Sequence, residues 1–337
     1  MKSAKLAKIL TASALTLTLL AVPVSQAVVH ADDQVTSTSA SSASSASQNQ
    51  THTLKKSYVV YGAGATDKDE LNQVLAVGDD FTNLTATASD YQKYINPNGS
   101  TTNAAMVSSV SIVPTDPSSG VQVNVKKFNG DNNITKVTAQ QYAMVAQMAG
   151  VTDVTITVSA NRPVSGESAL TGVYKAIAAD GVDLDSQNTQ SANQMLDATN
   201  GAIEANKDDS SYPGKLMAAV GDTTKSINQQ KKQGETPTKT EIQATFNQNL
   251  QERNIYNQTK NYTGPIINAL VQFNNSPISF SKDYSSHVSD TIKNVKNSSG
   301  DIMNKAKKFL NSADGQAAQQ KAISWWDKFV NWLRSWF

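Results

Sequence analysis

The sequence predicts an α+β chain: a mixed α/β head, then an all-α polar helical region, then a C-terminal amphipathic helix. Three observations carry this. A strand–turn–helix pattern occurs twice, at Tyr58 to Val77 and at Val154 to Ala179. After residue 184 the apolar residues form narrow helical stripes punctuated by Gly and Pro. The last sixteen residues, AISWWDKFVNWLRSWF, divide into two faces when wound at about 100° per residue. All ten apolar side chains then fill one arc of roughly 180°, and the six polar ones fill the other.

Residues 1–31 read as a secretory signal. Lys2, Lys5 and Lys8 precede an apolar run, Ile9 to Val24, and cleavage is expected after Ala31, with Ala27 as the alternative. That run is too short for a comfortable membrane span. Residues 32–56 are a Ser/Thr-rich tether whose composition cannot bury enough apolar surface to order itself. The precursor carries 29 basic and 28 acidic side chains; losing the three signal lysines leaves 26 against 28, a net of −2. Such a balance argues against nucleic acid as a partner. The absence of cysteine rules out a disulfide framework and a thiol nucleophile.

Residues 57–184 form the expected head. Tyr58 to Tyr61 is a strand ended by Gly62-Ala63-Gly64, with Thr66 as the cap of a helix presenting Leu71, Val74 and Leu75. Ala88 to Tyr94 is a second short helix or turn. Met106 to Val113 and Val121 to Lys127 are β-rich and, joined by a Pro/Ser/Gly cluster, predict a hairpin. Thr138 is an N-cap for a helix over Ala139 to Ala149 that presents Tyr142, Val145 and Met148, and Gly150 ends it. Val154 to Val158 is a strand, and Pro163-Val164-Ser165-Gly166 turns into a helix over Glu167 to Ala179. In residues 185–321 helices are expected over Thr189–Asn206, Tyr212–Lys232, Thr238–Lys260, Pro265–Asn274, Phe280–Asn297 and Asp301–Leu310. Residues 322–337 are the amphipathic helix.

Two head segments carry a resemblance: VVYGAGATDKDELNQVLAV and NITKVTAQQYAMVAQMAGVTDVTITVSANRPVSGESALTGVYKAIAADG. In order and spacing they resemble the secreted bacterial family known as domain of unknown function 1002 (DUF1002). The specific elements are Asn133-Ile134-Thr135, Val137-Thr138, Ala149-Gly150-Val151, Pro163-Val164-Ser165-Gly166 and Ala169-Leu170-Thr171-Gly172. The resemblance spans Tyr58 to Leu184 well and the later helices weakly. It implies export from Gram-positive cells and supplies no activity or catalytic residue. Glu167-Ser168 departs from the small or Thr residues more usual after the turn glycine, and the Trp-rich tail lies outside the family pattern.

Candidate sites follow from chemistry. Gly62-Ala63-Gly64-Ala65-Thr66 resembles a phosphate-cradling turn but lacks the third glycine and the Lys-Ser/Thr of known phosphate loops, so a plain turn is expected. Ser165, Gly166, Glu167 and Ser168 place N–H groups and hydroxyls at a helix start, either to hold an anion or simply with Ser165 as N-cap. Of the three histidines only His287 lies in a folded stretch, which excludes a Ser-His-Asp set; a surface position is expected for it. No metal or cofactor is expected: zinc lacks ligands, and neither Asp131-Asn132-Asn133 nor Asp183-Leu184-Asp185 forms a calcium loop. Asp153, Glu167, Asp180 and Asp183 are near enough in sequence to keep a carboxylate-pair hydrolase open.

The tail sets the leading functional expectation. Trp325, Trp326, Phe329, Trp332, Leu333 and Trp336 would enter a lipid interface, with Lys328 and Arg334 at the headgroups. Preceding lysines Lys305, Lys307, Lys308 and Lys321 suit an anionic surface. The chain is thus expected to be a secreted, non-enzymatic cell-envelope protein whose partner is a lipid membrane surface. The alternative is a wall module that binds a cell-envelope polymer, glycan or peptide, with the tail packed in its core. Nothing in the pattern fixes an oligomeric state.

Overall fold

The computed structural model describes residues 50–297. The signal, most of the tether, the expected helix Asp301–Leu310 and the Trp-rich tail lie outside the described residues. Five strands form one sheet: β1 (Tyr58–Gly62), β2 (Thr82–Ala86), β3 (Ser109–Pro114), β4 (Val121–Val125) and β5 (Val154–Ser159), in the order β2-β1-β3-β5-β4. β1 pairs parallel with β2 and β4 parallel with β5, while β3 runs antiparallel between β1 and β5. Ten α-helical segments accompany them among the described residues: α1 (Lys68–Val74), α2 (Ala88–Tyr94), α3 (Ala139–Met148), α4 (Glu167–Ala179), α5 (Ser186–Ala205), α6 (Tyr212–Lys232), α7 (Lys239–Glu252), α8 (Tyr256–Thr259), α9 (Thr263–Asn275) and α10 (Tyr284–Asn297).

Strand alternation gives the sheet two unlike faces. Tyr58, Val60, Val110, Ile112, Val121, Ile156 and Val158 share one face by register and join the main core. Ser109, Ser111, Thr155, Thr157, Gln122 and Asn124 share the other with Val59 and Tyr61. There only a small cluster forms, where Leu71 and Leu75 cover Val59, Tyr61 and Phe128. α3 lies between the apolar face and the later helices, touching β4 on one side and α5, α6 and α10 on the other. All ten of its residues are consequently buried, not one stripe of them. Its polar side chains bond inside only in part: the Gln141 amide donates to Thr199 Oγ1 at 3.0 Å and Gln147 Oε1 accepts from Thr291 Oγ1 at 2.7 Å, while Gln147 Nε2 is buried without a hydrogen-bond partner among the described residues. One buried cluster therefore crosses residue 184, from Val60 and Ile156 through Met144 to Phe246, Phe273 and Val295.

Four local expectations are corrected and one strand is added. The tether does not run to residue 56: Leu54 is buried in the core and His52 pairs with Val151. β3 and β4 form no hairpin, because β5 inserts between them. β2 went unread: TNLTA offers little apolar signal, and it is a strand because β1 gives it partners. The helix expected over Thr238–Lys260 breaks at Asn254, whose φ of 56° is left-handed. The helix expected from Phe280 starts at Tyr284, after a separate 3-10 turn over Pro277–Phe280.

Candidate functional site

β1, β2, β4 and β5 point the same way, so their C-terminal ends share one edge, the usual place for ligands in sheets with parallel strands. Both sequence-predicted turns emerge there. In the first, Ala63 N–H donates to Ala86 O at 2.9 Å and Gly64 N–H to Met106 O at 2.7 Å. With Ala65 N–H donating to Gly62 O, the three N–H groups of the turn are already used within the protein. A Cβ on Gly62 would sit 2.2 Å from Met106 O, and one on Gly64 2.4 Å from Ala104 O. These glycines admit the Asn103–Val107 backbone, and the plain-turn reading holds. Thr66 is not the cap of α1: that position is Asp67, left-handed at φ 55° and without a side-chain cap bond.

In the second turn the N-cap is Gly166, not Ser165, with φ 107°. Its carbonyl accepts from the buried Tyr142 hydroxyl at 2.6 Å. The Ser168 hydroxyl faces inward, 2.5 Å from Ser108 Oγ, and Ala169 N–H donates to that same Ser108 oxygen at 2.9 Å. Ser108 thus occupies the helix start where an anion would have to sit, and the alternative cap, Ser165, is replaced by Gly166. Ser165 and Glu167 remain half-buried. Glu167 Oε2 accepts from the Tyr91 hydroxyl at 3.1 Å, and Lys136 Nζ lies 3.8 Å from Oε1. Burial first, then the Glu167 charge, pushes the Tyr91 phenol well up. On α5, the Asp197 carboxyl is raised by crowding of protein around it and then by Glu167, with Lys136 opposing, although the residue as a whole is exposed. Four elements thus present two carboxylates, a phenol and an ammonium in one half-exposed place. Such a set can hold hydroxyl- or amide-bearing ligands through several directional hydrogen bonds.

Residues 61–291 match a family profile described as protein of unknown function (DUF1002). The chain belongs to that family. The match passes well beyond residue 184 and takes in the helices that share the core. No curated protein and no solved structure matches the chain.

The rest of this DUF1002 chain sorts the remaining candidates. Asp153 precedes β5 and Glu167 follows it, so a strand of about 20 Å separates them. Paired glycosidase carboxylates stand about 5–9.5 Å apart, so these two form no such pair. Asp153 instead accepts from Gly120 N–H at 2.9 Å and lies 3.5 Å from His287 Nδ1. His287 is accordingly half-buried and tied to the sheet, not a plain surface residue. Asp180 accepts from the Tyr58 hydroxyl and the Lys55 N–H, both at 2.8 Å. Asn133 donates to Ala160 O at 2.8 Å. No metal-binding cluster of His, Cys, Asp and Glu occurs among the described residues. Trp325, Trp326, Lys328, Phe329, Trp332, Leu333, Arg334 and Trp336 lie outside them.

Sequence reasoning missed two features. Asp197 sits mid-helix with no local signal, and only the packing of α5 brings it beside Glu167. An open cleft of about 670 Å³ runs along the β2 edge, with Tyr61, Lys68 and Asn72 on one side and Thr85 and Lys175 on the other. The opposite edge is closed: Asn294 and Thr291 of α10 bond the backbone of Val121 at the start of β4.

Proposed function

We propose that this chain is an exported, non-enzymatic protein of the cell envelope that meets a membrane through Ala322–Phe337. The observation that carries this reading is the complete separation of ten apolar from six polar side chains in that segment. Among the described residues no helix is long and apolar enough to cross a membrane. All four tryptophans lie in the tail, so emission excited selectively from tryptophan reports on it alone. Anionic vesicles should shift that emission to the blue, and a chain ending at Gln320 should lose vesicle binding. Equal binding by the two chains, or emission already blue and quencher-protected without lipid, would overturn the reading. Recovery of mature protein from the medium with Asp32 at its N-terminus tests export.

A second reading is favoured by the half-exposed Glu167 carboxylate held by Tyr91 and Lys136. There the head binds a wall glycan or peptide at the Ser165–Glu167 turn. Glu167→Gln should then abolish binding to isolated walls while thermal stability is unchanged; retained binding ends it.

A further inference from the structure

The link between α9 and α10 presents an aromatic ring to solvent and surrounds it with cations. Ser276 to Ser281 is fixed from below. Ile278 is buried, and its N–H donates to Asn188 Oδ1 at 2.9 Å. Asn228 of α6 donates to Ser279 O at 3.0 Å and to Ser281 O at 2.7 Å. With Ile278 turned into the core, Phe280 is turned out: at 51 % it is the exposed large hydrophobic side chain of the described residues. One turn along α6 from Asn228, Lys231 buries its stem to 8 % exposure and holds its ammonium 3.6 Å from the Phe280 ring centroid. No carboxylate pairs with it among the described residues. Burial pulls this amine below its ordinary range. Lys232 Nζ donates to Lys282 O at 2.8 Å, two residues past Phe280, so two more exposed lysines belong to the same stretch of surface. The acids near it are Asp283, whose carboxylate accepts from Thr51 Oγ1 at 2.9 Å and from the Ser281 hydroxyl, and exposed Glu235 past the end of α6.

We propose that Phe280 with Lys231, Lys232 and Lys282 is a docking surface for an anionic phospholipid bilayer, which fixes how the folded body lies once the tail has bound. The proposal rests on the membrane reading above. A lone exposed ring offers a protein partner too little apolar area for a stable interface, which needs on the order of 1,000 Å². A bilayer asks for less. Its interfacial zone accepts one aromatic ring, and its phosphates accept hydrogen bonds from ammonium groups. Lys231 is the part a lipid phosphate would complete, because a nearly buried ammonium without an anion is under-solvated.

The test uses the full chain, in which the absence of cysteine allows a single dye. An environment-sensitive fluorophore is placed through Gln233→Cys, beside the patch, or through Asn257→Cys. Both positions are exposed, and α9, about 20 Å long, lies between Asn257 and Phe280. Vesicles containing phosphatidylglycerol should turn the Gln233 dye blue and bright, and pure phosphatidylcholine should not. The Asn257 dye should stay unchanged. At about 1 kcal/mol per surface lysine, Lys232→Ala with Lys282→Ala should weaken vesicle partitioning roughly thirtyfold. Phe280→Ser should abolish the Gln233 response while the tail tryptophans still shift. A silent Gln233 dye, or equal responses at both positions, overturns the proposal whatever the tryptophans do. A Gln233 response without a tryptophan shift keeps the patch and removes the tail reading. The same dye response to inorganic phosphate alone overturns the assignment to lipid.

Discussion

The two strand–turn–helix units begin from the same local pattern and end differently. α1 is 7 residues long, lacks a side-chain cap and buries Leu71 alone among its residues. α4 is 13 residues long and buries nine, from Ser168 to Ile177. The cause is the sheet face each one meets. α4 packs on the face of Val60, Val110 and Ile112, which continues into the helices beyond. α1 meets the face lined by Ser109, Ser111 and Thr157, where five buried residues make the whole cluster. Neither helix has a side-chain cap, so the difference in length between these two goes with the apolar area each one covers.

The sharpest way to break the comparison is a pair of truncations. Leu170→Ala, in the large core, should cost about 4 kcal/mol, and Leu71→Ala, in the small and more easily collapsed cluster, about 2 kcal/mol. Urea midpoints measure both, and equal losses would erase the distinction. Next is Gly166→Ala. It forces a left-handed φ of 107° on an alanine and drives its Cβ to 2.4 Å from the Tyr142 hydroxyl. A loss of about 3 kcal/mol is expected from strain and the displaced buried hydrogen bond.

A pH series sharpens the contrast further. Tyr58 is pushed from 10.0 up to about 12 by burial, then by its bond to Asp180 and the charge of that carboxylate. Tyr174 and Tyr284 are raised by burial as well. A tyrosine raised in the folded state stabilises the fold fully below its unfolded value. That contribution disappears as pH climbs through the folded value. Stability should therefore hold to about pH 10 and fall steeply toward pH 12, less steeply in Tyr58→Phe. A flat profile across that window would contradict the burial of these hydroxyls. The smallest effects concern caps. Thr138 accepts from Gln141 N–H, and Gln141 reaches back to the Thr138 N–H at 3.0 Å. Thr138→Ala should cost about 1 kcal/mol, whereas Thr66→Ala should lie within about 0.5 kcal/mol of zero.

Signals that act within a few residues were legible. The Thr138 N-cap, Gly150 at the end of α3, the bounds of α4 and of α6, and the alternation in β5 all read correctly, because each rests on a neighbour three or four residues away or on a strand's own pattern. Gly62 and Gly64 were seen as a turn, but their reason is the Asn103–Val107 backbone, about forty residues on in sequence. The Glu167 turn was found by its serines, yet Ser108 takes the place of the anion, and Tyr91, Lys136 and Asp197 come from three other segments. None of these partners has a local mark.

The sequence by itself determined the periods of most helices and strands, the Thr138 cap and the family, since these depend on side-chain order along one element. Tertiary structure alone decided that β5 divides β3 from β4, that β2 is a strand, that α3 is buried on every side, and that Asp153 and Glu167 lie at opposite ends of a strand. Each of those outcomes depends on which surface an element covers, and the covering surface comes from residues distant in the chain.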